Sequence, residues 1–99
     1  MSEINTPQNF KESFFIASTT NDGPVTYSHI FKAMEAGNDG YASPDFVREQ
    51  IQAGINDGSI AVQYGVLNEQ GAIESTFSGL RNEPDLNAGE RVEPVYTPV

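Results

Sequence analysis

The chain has 99 residues, 14 acidic and five basic side chains for a formal charge of −9, and neither cysteine nor tryptophan. That length makes one domain with a single modest core, and the absence of cysteine excludes disulfides, thiolate metal sites and a cysteine nucleophile. The charge reflects scarce base rather than crowded acid: Lys11, Lys32, Arg48, Arg81 and Arg91 stand apart, whereas contact with a nucleic-acid backbone needs several clustered cations.

No apolar run approaches the roughly 20 residues of a membrane helix. The opening MSEINTPQNF has no basic segment leading into an apolar one, as a signal peptide would. The expectation is a cytoplasmic protein, or a virion component if phage-encoded.

In chain order, Thr6-Pro7 joins a capping hydroxyl to a proline suited to the first helical turn. Phe10, Phe14 and Ala17 follow at helical spacing and predict a helix over 7–17, with Phe10, Phe14 and Phe15 assigned to the core. The stretch 18–25, STTNDGPV, reads as a loop.

The triplet Asn-Asp-Gly then occurs at 21–23, 38–40 and 56–58. A calcium loop would carry ligands at positions 1, 3 and 5, Gly at 6 and a bidentate Glu at 12. Placing each Gly at position 6 puts His29, Phe46 or Tyr64 at position 12, so none can close the site. The segments that the triplets bracket, TYSHIFKAMEAG (26–37) and SPDFVREQIQAG (43–54), each begin with a hydroxyl and end in Gly. Tyr27, Ile30, Phe31 and Met34 form a helical stripe, and Pro44 with Asp45 opens the next helix, 44–54. Gly54 is expected as the left-handed residue that closes that helix, and the triplets read as turn punctuation.

The period then changes to two. Ile60, Val62, Tyr64 and Val66 alternate as a strand, LNEQG (67–71) turns, and Ile73, Ser75 and Phe77 return as the second arm of a hairpin. From Arg81 three prolines and no core periodicity predict an extended acidic tail. The expected fold is α+β: a compact domain over 1–80, with three helices and a β-hairpin, and a tail over 81–99.

This order resembles a winged helix-turn-helix in layout, without a sequence motif of that family. The resemblance makes 44–54 the recognition helix and 68–71 the wing tip. The helix presents Asp45, Arg48, Glu49, Gln50 and Gln52, and the wing presents Asn68, Glu69 and Gln70. Groove docking needs a basic rim around such side chains, and here the balance is acidic. The expectation is therefore a protein-binding face at Asp45, Arg48, Glu49, Gln52 and Glu69. A second candidate is VEPVYTPV (92–99), whose Val92, Val95, Tyr96 and Val99 suit strand addition or a partner's groove.

The lone histidine, His29, lies off the apolar stripe of its helix and has no nucleophile elbow or triad partner near it in sequence. One His without Cys falls short of a zinc site, and no phosphate-binding glycine motif is present. Neither enzyme, metal nor cofactor is expected. The expected function is a non-enzymatic acidic interaction module, a structural or assembly component of a larger complex such as a viral particle. An alternative is an acidic inhibitor, of DNA-mimic or phage counter-defence type, that blocks a basic groove on a nucleic-acid-handling protein. A second is a winged-helix transcription regulator. The expected partners are proteins, with no direct nucleic acid or membrane contact.

Overall fold

The computed structural model describes residues 7–38 and 40–99; the proposed cap at Thr6 lies outside them. Three helices, α1 (Pro7–Thr20), α2 (Tyr27–Ala36) and α3 (Pro44–Asp57), precede β1 (Ile60–Leu67) and β2 (Ile73–Phe77). A short 3-10 turn (Leu80–Asn82) follows, then β3 (Arg91–Pro98). None of the described helices is long and apolar enough to cross a membrane.

Each helix buries the residues that its spacing brings to one side. Phe10, Phe14 and Ala17 of α1, Ile30 and Met34 of α2, and Val47 and Ile51 of α3 meet Val25 and Ile60 in one cluster. Phe15, expected in this core, is instead 65% exposed. It follows Phe14 by one residue, about 100° around the helix, so the two rings cannot share a face.

The caps explain where α2 and α3 start. Thr26 Oγ1 accepts the His29 amide and Ser43 Oγ accepts the Phe46 amide, with Pro44 in the first turn of α3. Two ends run past their expected positions. α1 continues to Thr20, three residues into the expected loop, because nothing breaks it before Asp22, at φ 57°. α3 continues to Asp57 and closes on Gly58, at φ 86°.

Gly54 is therefore not the left-handed terminus expected of it. It is a buried residue inside α3, where the chain passes against Ile60. A side chain's volume, rather than a positive φ, is what that position excludes.

The hairpin forms as expected, on a turn in which Asn68 Oδ1 accepts the amides of Gln70 and Ala72 at 2.9 and 3.0 Å. The C-terminal segment differs from expectation. Residues 81–89 are exposed, as a tail would be, but Arg91–Pro98 is a strand paired with β1 along its whole length. The sheet order is β2-β1-β3. The far side of β3 meets the α1–α2 connection, where Val25 and Tyr96 exchange backbone hydrogen bonds of 2.9 and 2.7 Å.

A tail was expected because the segment is acidic, with three prolines and no core periodicity. Here the strand borders the sheet, where proline is tolerated, and Val95 anchors it at 1% exposure. The central position of β1 also alters its burial pattern. Ala61 and Val62 have a partner on one side and are exposed, whereas Gly65, Val66 and Leu67 lie between two strands and are all buried.

Candidate functional site

The outer face of α3 follows from its helical period. With Val47, Ile51 and Gly54 turned inward, Asp45, Glu49, Gln52 and Asn56 are left exposed at spacings of four, three and four, which stack along one side of a helix. The lower end of this stripe is organised by Gln52 Nε2 donating to Asn56 Oδ1 at 3.0 Å. Arg48, the one cation of α3, is exposed but has partners on its own helix and on α2. Its guanidinium lies 3.7 Å from the Asp45 carboxylate and 5.2 Å from the centroid of the Tyr27 ring. The face thus offers the Glu49 carboxylate, two amides and a solvent-exposed Asp45–Arg48 pair. Beside it, on the α2–α3 connection, Tyr41 is 66% exposed.

The remaining expected contact residues divide. Glu69 is exposed on the β1–β2 turn, in an element separate from α3. Val92 is half-buried opposite Val66, and Tyr96 is half-buried against Val25 and the core cluster. Val95 is enclosed and has no surface to offer a partner. Its place is a correction to the expected tail site: the strand-forming potential of 92–98 is satisfied by the protein's own sheet. Val99 remains 85% exposed.

A cleft of about 310 Å³ opens between the α1–α2 connection and the β1–β2 turn, lined by Asn21, Pro24, His29, Gln70, Gly71, Ala72 and Ile73. A recess beside it is bounded by Thr26, Lys32, Arg91 and Glu93. His29 sits between the two. Its Nδ1 accepts the Thr26 amide at 3.2 Å while its own amide donates to Thr26 Oγ1, also at 3.2 Å. This is a capping box with imidazole in the position usually taken by Glu or Gln. Accepting at Nδ1 requires the neutral ring. Burial, then the Lys32 charge, lowers its pKa, with Glu93 opposing. The Thr-x-x-His spacing was the sequence signal for this role, whereas His29 was expected only to lie off the apolar stripe of its helix.

Arg91 is likewise engaged, 2.8 Å from Glu93, and its guanidinium donates to the Asn68 carbonyl at 3.4 Å. Among the described residues, no three His, Asp or Glu side chains are grouped to hold a metal ion.

Two features were not legible in the sequence. A groove of about 340 Å³ runs between α1, α3 and the end of β3, with Phe14, Phe15, Ile60, Pro98 and Val99 among its walls. On the sheet, the Glu74 and Glu90 carboxyls lie beside each other, 16 positions apart in sequence. Glu74 is thereby pushed above the usual carboxylate range, while Glu90, which also accepts the Asn87 amide, is held below it.

No protein-family model matches the chain, and neither a curated protein nor a solved structure matches it.

Proposed function

We propose that the protein is a non-enzymatic, acidic protein-binding module that serves as a component of a larger complex, and that the outer face of α3 is its contact surface. One observation carries this reading: the exposed Asp45, Glu49, Gln52 and Asn56 stripe, whose neighbouring cation pairs with Asp45 and lies over the Tyr27 ring. A duplex-binding helix presents free Arg or Lys to phosphates. A helix with this distribution suits a basic protein surface, which it would approach with an electrostatically enhanced on-rate. Tyr41 beside it supplies the kind of exposed aromatic around which interfaces concentrate their binding energy.

A second reading is favoured by the same carboxylates: an inhibitor that lays α3 in the basic groove of a nucleic-acid-handling protein. The two differ in what competes for the partner.

Affinity capture from the native cell on wild type and on Asp45→Lys/Glu49→Lys, followed by mass spectrometry, tests the surface. The expected result is a protein partner retained by wild type, released by raised salt and lost from the variant. Equal retention by both, or a duplex shift by wild type at low ionic strength, would overturn the proposal. Competition of the captured partner by DNA or RNA selects the inhibitor reading over the assembly one.

A further inference from the structure

We infer that the free edge of β2 is a docking site for an extended, lysine- or arginine-bearing segment of a partner protein, which adds as a fourth strand. This rests on the protein-binding reading above but uses a different surface.

The two borders of the sheet are unequal. On the β3 side, Pro94 and Pro98 remove ladder donors and Val25 already exchanges hydrogen bonds with Tyr96. On the β2 side, Ile73–Phe77 contains neither proline nor glycine. No backbone hydrogen bond from the described residues outside the sheet reaches it. Glu74, Ser75 and Thr76 along it are exposed. An uncovered edge of this kind is a template for strand addition.

Charge decides what is added. The register runs Val66 against Ser75 and Leu67 against Ile73, so Glu74 is the extra residue of a bulge, with no partner on β1. Its carboxyl lies against that of Glu90, and no cation is paired with either among the described ion pairs. Glu69 is exposed on the adjoining turn, while Arg81 lies beyond the far end of β2. A charged bulge on an edge repels a second copy of an acidic chain, whose own Glu74 would approach the same carboxylates. The same two carboxylates attract a strand that brings a cation to them, so the device that blocks self-association selects a basic partner. At the other end of β2, Phe77 stacks on Tyr64 with ring centroids 5.7 Å apart. This pair offers an apolar platform for an alternate residue of the incoming strand.

The test uses the whole chain and a capped peptide, Thr-Lys-Val-Lys-Val-Lys-Thr, with a Glu-for-Lys peptide as control. Amide exchange and chemical shifts are read residue by residue. The Lys peptide is expected to protect β2 amides, the Glu peptide to bind at least about tenfold more weakly, and Glu74→Lys/Glu90→Lys to invert that preference. Asp45→Lys/Glu49→Lys is expected to leave the β2 signal unchanged, which separates this site from the α3 surface. Unperturbed β2 amides would overturn the inference, as would shifts confined to α3, equal binding of both peptides, or a dimer of the chain formed through β2.

Discussion

Replacing Gly54 with alanine tests the packing of α3 on β1. An ideal Cβ at this position would overlap the Cδ1 and Cγ1 atoms of Ile60 and stand 3.3 Å from its Cβ. Ile60 is itself 5% exposed and packed within the core cluster, so its side chain must shift from that packing to admit the new methyl. Overpacking of this kind costs about 1–3 kcal/mol. The substitution also removes a glycine from a helix interior, which returns about 0.5–1 kcal/mol. The net expectation is a loss of about 1 kcal/mol, or ~4–8 °C in melting temperature for a domain of this size.

The background mutation Ile60→Ala isolates the cause. It removes both overlapping atoms, so Gly54→Ala should be neutral or stabilising there, since its methyl enters vacated space. Thermal and urea melts of the four proteins in the cycle measure the coupling. Gly58→Ala serves as the contrast. Its Cβ would meet nothing within 4 Å, but φ is 86°, so it should cost about 1 kcal/mol in either background. If Gly54→Ala costs the same in the wild-type and the Ile60→Ala backgrounds, steric overlap is not the reason for the glycine and the packing argument is refuted.

Val95→Ala should destabilise by about 2 kcal/mol in a urea melt, as expected for a buried side chain in a paired strand rather than a tail residue; a change within experimental error would detach β3 from the fold. Because the folded-state pKa of His29 is lowered, the unfolded chain takes up the proton first as pH falls. The stability this residue supports is complete above about pH 6.5 and is lost as pH drops through its folded value. His29→Gln keeps an acceptor at the same capping position and should flatten that dependence in melts between pH 7 and 5, and an unchanged slope would rule His29 out as its source. In a carboxyl-detected NMR titration, Glu74 should titrate above the ordinary glutamate range and Glu90 below it, and Glu90→Gln should bring Glu74 down. Asp57→Ala, which removes a 2.8 Å hydrogen bond to the exposed Ser59 amide, should cost less than Gly58→Ala, and millimolar calcium should leave both melts unmoved.

The sequence by itself determined the elements whose signals are local. Hydroxyl caps at Thr26 and Ser43, Pro44 in the first turn, and apolar stripes of period 3.6 or 2 specify three helices and a hairpin because each rests on neighbours a few residues apart. The exposed stripe on α3 was legible for the same reason: once Val47 and Ile51 point inward, the helical period leaves Asp45, Glu49 and Gln52 outside. The tertiary structure decided what depends on distant residues. Whether 91–98 is a tail or a strand depends on β1 having an unpaired side and on Val25 lying beside Tyr96. The meaning of Gly54 depends on Ile60 crossing α3 at that turn, and one glycine reads alike in sequence whether a positive φ or a close contact requires it. The juxtaposition of Glu74 and Glu90, and the free edge beside them, arise because β1 is central and the connection after β2 returns to its other side. Strand order is set by which edges win the competition for backbone hydrogen bonds, and no short window of sequence contains both competitors.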